Sequence, residues 1–212
     1  MKTSERLKAL LEDKWKQYVR HNFVEMLRQG TLDKDSFRFY IIQDSKYVEM
    51  MIDSVIRASS LAGFKDSEKI LRSVIFGRDS GMEVHKKIHS ELNITEEEIK
   101  RTGYTLVNYA YTRHLYYYST KSWKLFLSAW LPCMWGYSEI GEYAMNSPDH
   151  LYSSWATFYA SEDYKSRVEV ILEAIDSIPF SEDMVQPFSN SISFEIMFWD
   201  SALRKDRTDI MG

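Results

Sequence analysis

Apolar residues recur at helical spacing along almost the whole chain, and this pattern limits the fold more than any other feature. Only 8 glycines and 4 prolines interrupt 212 residues. The Asn-Gly and Asp-Gly pairs that mark tight β-hairpins are missing. A chain with this pattern and these interruptions is expected to be all-α.

The turn and capping residues divide the pattern into separate helices. The first is predicted over residues 4–29, with a bend near His21-Asn22 and a stop at Gly30. Asp33 or Asp35 is expected to cap the next helix, which runs to about Leu61. The remaining helices are predicted at 66–91, after the Thr95 and Glu98 capping box, and at 104–119, 122–146, 149–160, 162–177 and 182–204.

Short connections between these helices indicate one all-α domain over residues 1–212, a bundle of about eight or nine helices with successive helices as antiparallel neighbours. Pro132 lies inside a helical pattern. Because proline lacks a backbone N–H and crowds the preceding turn, a kink or a restart is expected there.

Composition excludes several functions and predicts a location. The net charge is −4 with Lys and Arg scattered, so no nucleic-acid partner is expected. A single cysteine excludes an internal disulfide and a cysteine-based zinc cluster. No run approaches 18 apolar residues and the amphipathic N-terminus contains acids, so neither a membrane span nor a signal peptide is expected. The predicted location is the cytoplasm.

Three helix faces each combine a reactive group with an aromatic ring. Cys133 and Tyr137 are four residues apart, while Asp44 and Tyr47 are three apart, on a face that also carries Tyr40 and Met51. Glu195 and Phe198 are again three apart. If the three faces meet inside the bundle, they form an aromatic cage with one thiol and two carboxylates, suited to a small molecule.

Plainer interpretations of these residues stay open. A lone Cys133 is often a small buried hydrophobe. Glu195 stands in an apolar run that favours burial, although a helix can turn it outward, and Asp44 can be solvated. His85 and His89 are a two-ligand metal edge or part of a charged surface, and no His-Glu-x-x-His motif is present. The GRDSG stretch, residues 77–81, lacks the Lys-Ser/Thr ending of a phosphate loop.

Five segments, spread in order from about residue 21 to 204, resemble the TenA/thiaminase II family. LPCMWGYSEIG resembles its central signature, and IIQDSKYV, preceded by HNFVEMLRQGTLDKDSFRFYI, resembles another motif. NYAYTRHLYYYS matches at Tyr111, and SWATFYASEDY matches a Trp-x3-Tyr-(Ala/Ser)-Ser pattern. FEIMFWDSA matches a C-terminal Glu-x2-Phe-Trp.

The resemblance implies a haem-oxygenase-like all-α bundle, commonly a homotetramer, with a deep pocket in each subunit and no cofactor or metal. It implies hydrolysis at the pyrimidine methylene carbon of thiamine or of 4-amino-5-aminomethyl-2-methylpyrimidine, giving the hydroxymethylpyrimidine used in thiamine salvage. Carried over by motif, Cys133 is the nucleophile, Glu195 the acid/base and Asp44 the contact to the aminopyrimidine edge. The pocket is expected to be lined by Tyr47, Tyr111, Tyr137, Tyr159 and Phe198.

The sequence departs slightly from the family pattern at Met134 and Gly136 in the signature and at Ser45 and Lys46 after Asp44. These residues can change the shape of the pocket or the substrate preference without removing the chemistry. Two rival functions remain. The same cage can hold a pyrimidine or thiamine without turning it over. Alternatively, the bundle is a haem or redox-cofactor enzyme, for which Gly136 and Gly141 resemble a glycine-containing distal helix and His21 is a candidate axial ligand.

Overall fold

The computed structural model describes the backbone of residues 1–212 and every side chain except those of residues 76–82, so the side chains of the GRDSG stretch lie outside the described residues. The described backbone contains eleven α-helices and one 3₁₀ turn. They are α1 (Thr3–Leu10), α2 (Glu12–Val19), α3 (Asn22–Gln29), α4 (Lys34–Ser59), α5 (Phe64–Glu91), α6 (Glu96–Arg101), α7 (Leu106–Ser119), α8 (Trp123–Ala144), α9 (His150–Ala160), α10 (Glu162–Asp176), the 3₁₀ turn (Glu182–Met184) and α11 (Val185–Arg204). The only β-pairing in this backbone is one bridge between Tyr104 and Ile210. The all-α prediction is therefore confirmed.

The segment predicted as the first helix, residues 4–29, forms three short helices. This division accounts for most of the difference between the eleven α-helices and the eight or nine predicted. Leu11 and Arg20 leave helical geometry, with φ of −127° and −126°. His21 then caps α3, because its Nδ1 accepts a hydrogen bond from the backbone N–H of Phe23 at 3.2 Å. Gly30 ends α3 in the left-handed conformation at φ 72°, as its position predicted.

The predicted N-caps follow the sequence signals closely. Asp33 accepts from the N–H of Ser36 at 3.0 Å, so Asp33 rather than Asp35 begins α4. Thr95 accepts from the N–H of Glu98 at 3.1 Å and begins α6. The reciprocal bond of the predicted capping box is not formed, because the carboxylate of Glu98 accepts from Arg38 at 2.6 Å, which ties α6 to α4.

Helix α8 lies at the centre of the bundle. It packs against α2, α3, α4, α7, α9, α10 and α11. Its sequence explains this position, since residues 126–134 are all buried. Of the successive pairs, α1 and α2, α4 and α5, α7 and α8, α8 and α9, and α9 and α10 are in contact, as expected for these pairs from the short connections. Helix α11 packs against α2, α4, α7 and α8 and closes the bundle.

Pro132 does not restart a helix, so that part of the prediction is wrong. Helix α8 runs without interruption from Trp123 to Ala144 around Pro132. Close packing on all sides holds the helix together although Pro132 cannot donate to the carbonyl of Ser128. Cys133 consequently lies in the middle of α8, and its thiol is not at a helix N-terminus.

One core joins the helices, and aromatic rings make up much of it. Its largest sealed side chains include Trp130, Trp155 and Trp199. Among the residues that the structure describes, no helix is both long and apolar enough to cross a membrane.

Candidate active site

Three ionisable groups from three different helices meet in the core. Cys133 comes from α8, Asp44 from α4 and Glu195 from α11, and all three are buried. The two carboxyls lie near enough to raise the pKa of the thiol, and Asp44 also raises that of Glu195. The three faces that the helical spacing identified therefore do meet.

The thiol of Cys133 is protonated at rest. Burial raises its pKa well above the ordinary value, and the neighbouring Glu195 carboxyl adds to this effect. The hydroxyl of Tyr47 lies beside the thiol and lowers its pKa in part. The contact between the two groups does not meet the geometry of a hydrogen bond. Among the described residues, the Tyr47 hydroxyl has no hydrogen-bond partner.

Glu195 is buried, as its apolar surroundings in the sequence predicted. Burial raises the pKa of its carboxyl to about 8, against the opposing hydrogen bond from Tyr111. The Tyr111 hydroxyl donates to Oε1 of Glu195 at 2.8 Å, which orients the carboxyl from α7. A carboxyl with a pKa near neutrality can both donate and accept a proton during turnover.

Asp44 is also buried, which answers the question that the sequence left open. The residues on either side of Asp44 in the chain are not an apolar run. Burial among rings from other helices nevertheless raises the pKa of Asp44 to about 7, although a hydrogen bond from Tyr40 opposes the rise. Its Oδ2 is buried with no partner among the described side chains. An unpartnered buried oxygen is suited to accept from a bound ligand.

Aromatic rings form one wall of the cluster beside Cys133 and Glu195. The rings of Tyr47 and Tyr111 lie 4.8 Å apart, and Phe198 is 6.2 Å from Tyr47. Tyr111 in turn stacks on Phe194 at 5.2 Å. This wall combines residues from α4, α7 and α11.

A second wall stands near Asp44. Tyr137 and Tyr159 have ring centres 5.0 Å apart, and the Tyr137 hydroxyl is 3.2 Å from that of Tyr40. Tyr40 also contacts Phe198 at 6.1 Å, which joins the two walls. All eight residues expected at the site are thus brought into one cluster.

The cluster borders space that a water-sized molecule can reach. Cys133 is 7% exposed and Tyr159 6%, whereas Tyr40 and Trp155 behind them are 0% and 1% exposed.

Sequence reasoning missed several residues that support the site. Tyr18 is fully buried, and its hydroxyl donates to the Pro132 carbonyl at 3.4 Å. Gly136 makes room for it, since a Cβ there would lie 2.2 Å from the Tyr18 ring. Tyr40 was noted only for its helix face. A tyrosine four residues before Asp44 was the available signal for Tyr40, but nothing local marks Tyr18.

The histidines serve structural contacts. Nε2 of His21 lies 3.2 Å from Asp200, and its Nδ1 caps α3, so both ring nitrogens are engaged. His85 and His89 are half-buried, with rings 6.2 Å apart, rather than on a solvated surface. Nε2 of His89 lies 3.1 Å from the Ser45 hydroxyl. Within the described residues, no group of three or more His, Cys, Asp or Glu side chains is arranged to hold a metal ion.

A helical bundle that buries a thiol, two carboxyls and two walls of aromatic rings in one cluster belongs to the class of proteins whose core is suited to a small molecule. The chain belongs to the TENA/THI-4/PQQC family, whose model matches residues 8–205.

Relatives from three organisms are similar over nearly their whole length. An aminopyrimidine aminohydrolase from Helicobacter pylori is 28% identical, covering 95% of this chain and 99% of the relative. One from Bacillus subtilis is also 28% identical, covering 97% and 92%. The crystal structure of a TenA-like protein from Sulfolobus solfataricus is 47% identical with a TM-score of 0.93, covering 97% and 98% of the two chains.

Proposed function

We propose that the protein is a hydrolase that cleaves aminopyrimidines at the exocyclic methylene carbon and serves thiamine salvage. The observation that supports this most is the buried thiol of Cys133 beside Glu195, a carboxyl whose pKa burial raises to about 8. The names of the two bacterial relatives, both aminopyrimidine aminohydrolases, support the same reaction.

In the first proposed step, Cys133 adds to the pyrimidine ring carbon next to the one that carries the methylene. The thiol proton passes to Glu195, and Glu195 gives a proton to the ring nitrogen as the C–S bond forms. These two transfers leave Glu195 in its initial state and add S–H across a ring C=N bond. Cysteine suits this step because sulfur is a strong nucleophile even when little thiolate is present.

In the second step the ring is no longer aromatic, and its electrons can expel the amine. Glu195 protonates the amine, the C–N bond breaks, ammonia leaves and an exocyclic methylene forms. Water then adds to this methylene and returns a proton to Glu195. The C–S bond finally breaks as the ring-nitrogen proton passes back to sulfur, which gives the Cys133 thiol and an aromatic product. The balance is one aminomethylpyrimidine and one water giving one hydroxymethylpyrimidine and one ammonia.

Asp44 is proposed to recognise the amino group on the pyrimidine ring. Its Oδ2 lacks a partner among the described residues and can accept from that group. Tyr47, Tyr111 and Phe198 would hold one face of the ring, and Tyr137 and Tyr159 the other, since stacked rings favour an aromatic ligand. This reaction requires no cofactor or metal.

The substrate is proposed to be 4-amino-5-aminomethyl-2-methylpyrimidine, with thiamine as a second substrate. Both carry the same aminopyrimidine and differ in the group on the methylene. The Sulfolobus relative is described as a TenA-like thiaminase, which supports including thiamine. We further propose that the protein works in the cytoplasm as a homotetramer without nucleic-acid or membrane partners.

An ammonia-release assay with the aminomethylpyrimidine and a thiazole-release assay with thiamine test the reaction on purified protein, with Cys133→Ala and Cys133→Ser as the critical variants. Both variants should fold and still bind hydroxymethylpyrimidine, yet lose nearly all turnover. Ser keeps the size of Cys but is a far weaker nucleophile. Substantial ammonia release by Cys133→Ala would disprove the covalent route.

A non-catalytic pyrimidine or thiamine carrier is the alternative that the same cluster could serve. It predicts tight binding of both compounds without ammonia or thiazole release by the wild type. Alkylation of Cys133 by iodoacetamide separates the two functions further. In the hydrolase, alkylation should abolish turnover, and bound product should slow the loss.

A further inference from the structure

A chain of polar contacts outside the site joins the three helices that carry Cys133, Glu195 and Tyr111. Nε2 of His114 on α7 lies 3.0 Å from the hydroxyl of Ser191 on α11. That hydroxyl donates to the backbone carbonyl of Ala129 on α8 at 2.5 Å. Ser191 is completely buried.

Each member of this chain stands one helical turn from a residue of the site. His114 follows Tyr111 by three residues, Ser191 precedes Glu195 by four, and Ala129 precedes Cys133 by four. Residues so spaced lie one above the other on a helix face. A shift at the polar contacts would therefore carry directly to the thiol, the carboxyl and the tyrosine hydroxyl.

The Ser191 hydroxyl has one proton, and its short contact to the Ala129 carbonyl uses it. His114 donates from Nε2 to the Ser191 oxygen in the tautomer that carries its proton there, and the Pro187 carbonyl is the other acceptor beside this ring. These contacts connect α7 through α11 to α8, and removing either polar group breaks this hydrogen-bonded connection between α7 and α8, which also pack directly on each other.

A second contact strengthens the link between α7 and α11. The His114 ring lies 5.3 Å from the ring of Phe194, which also stacks on Tyr111. Phe194 immediately precedes Glu195, whose Oε1 accepts from Tyr111. His114 therefore contacts two residues close to Glu195 on α11, the hydroxyl of Ser191 and the ring of Phe194.

We propose that His114 and Ser191 are positioning residues that set the spacing between the Cys133 thiol and the Glu195 carboxyl. This inference rests on the proposed function for its catalytic consequence. Neither residue touches the reacting atoms. Their effect comes through the register of α7, α8 and α11, and small errors in such spacing are costly because misplacement by about 1 Å can slow a reaction ~100-fold.

The test compares Ser191→Ala with Ser128→Ala, a matched control. Ser128 is also fully buried, but its hydroxyl bonds within α8 to the Lys124 carbonyl. Ser191→Ala should lower kcat by ~10- to ~100-fold with KM little changed. Ser128→Ala should keep the wild-type kcat. Thermal unfolding of both variants shows whether they are folded at the assay temperature.

Two substitutions of His114 provide a rescue test. The amide nitrogen of Gln reaches the place of Nε2 and can still donate to Ser191, whereas that of Asn reaches only the place of Nδ1. His114→Gln should therefore retain most of kcat, and His114→Asn should lose as much as Ser191→Ala.

A readout independent of turnover separates this proposal from the proposed function. Cys133 is the only cysteine, so the pH dependence of its alkylation by iodoacetamide reports the thiol pKa, which burial and the neighbouring Glu195 carboxyl both raise. Ser191→Ala and His114→Asn should shift that profile relative to Ser128→Ala. If the wild type released no ammonia, the proposed function would be contradicted, and the alkylation profile alone would test the positioning role. Unchanged kcat and alkylation profiles in both variants, with only a lower Tm, would overturn the positioning role.

Discussion

Burial at the site changes the chemistry that its acids can perform. Carboxyls in water are ionised at neutral pH, but the pKa of Asp44 is about 7 and that of Glu195 about 8. At pH 7 Glu195 therefore mostly carries its proton, and Asp44 is divided between its two forms. The site holds both a proton donor and an anionic acceptor, which is what proton transfer and recognition of an amino group require.

Glu195→Gln should lower kcat by about two to four orders of magnitude while leaving the fold intact. The amide keeps the shape and can accept from Tyr111, but it cannot transfer a proton, and general acid–base catalysis is typically worth ~10²- to ~10⁴-fold. A pH–rate profile measures the effect, because the limb due to Glu195 should disappear. Glu139→Gln is the control. Glu139 also accepts from a ring donor, Trp15, but it lies on α8 and is not one of the predicted site residues. Retention of the wild-type limbs and height in Glu195→Gln would contradict the role.

Asp44→Asn should weaken ligand binding more than it slows chemistry. Loss of a charge-assisted bond costs about 1.5–3 kcal/mol, or ~10- to ~100-fold in the Kd of hydroxymethylpyrimidine measured by calorimetry. In the wild type, affinity should also fall as the pH drops through about 7, because Asp44 becomes protonated. Asp53→Asn on the same helix is the control, as Asp53 pairs with Arg57 on the exposed surface. An unchanged Kd in Asp44→Asn would remove Asp44 from the site.

At this scale the sequence predicted the site better than it predicted its surroundings. Burial of Glu195 could be predicted because its neighbours in the chain are apolar. Burial of Asp44 could not, because the rings that enclose it, such as Tyr137 and Tyr159, come from α8 and α9. Ser191 and His114 carried no local signal at all, since their contacts join residues 77 positions apart.

At the scale of helices, close approach explains two glycines that the sequence left open to a haem-type interpretation. A Cβ at Gly136 would lie 2.2 Å from the Tyr18 ring, and one at Gly141 would lie 2.6 Å from the backbone nitrogen of Ala160. Both glycines thus allow α2 and α9 to pack tightly on α8. This arrangement brings Tyr159 of α9 to within 5.0 Å of Tyr137.

Gly141→Ala should destabilise the protein although alanine favours helices. The gain in helix propensity is at most about 1 kcal/mol, whereas overpacking against a backbone typically costs about 1–3 kcal/mol. The clash is with the backbone of α9, so Tyr159 should move and product binding should weaken. Urea unfolding and the Kd of hydroxymethylpyrimidine measure the two effects. Gly63→Ala is the control because a Cβ there has no atom within 4 Å; equal stability of the two variants would contradict the packing argument.

The helix ends were predictable where a side chain caps them, and less so elsewhere. Gly30, Asp33 and Thr95 act as the sequence indicated. The break at Leu11 has no glycine, proline or capping signal and was not predicted, whereas the break at Arg20 lies beside the bend expected near His21-Asn22. Pro132 was an apparent break that packing overrides, since α8 is held on several sides by other helices.

At the scale of the whole molecule, the site depends on residues from distant parts of the chain. Its eight predicted residues come from α4, α7, α8, α9 and α11. Helical periodicity could identify the faces but not which faces meet, because that depends on how the bundle packs. The family resemblance provided the missing pairing, and the structure brings the expected residues together.

The two buried acids should also make the stability of the molecule fall as the pH rises from about 6.5 to 8. Both pKa values are raised above those of the unfolded chain, so the folded state binds more protons and is favoured at lower pH. Each group contributes at most about 1.4 kcal/mol per pH unit, and its contribution is lost as the pH passes its folded pKa. Below about 6.5 the half-buried His85 and His114 act in the opposite direction, since desolvation lowers their pKa to about 4.

The double variant Asp44→Asn/Glu195→Gln isolates this effect, because the amides keep the shapes and cannot ionise. Urea unfolding at several pH values between 6.5 and 8 should show a shallower decline in stability for the variant than for the wild type. At pH 8 the variant should be the more stable of the two, since it avoids burying charge that the wild type must carry. Parallel declines in the two proteins would mean that these carboxyls titrate as ordinary exposed acids, and the acid–base role proposed for Glu195 would lose its physical basis.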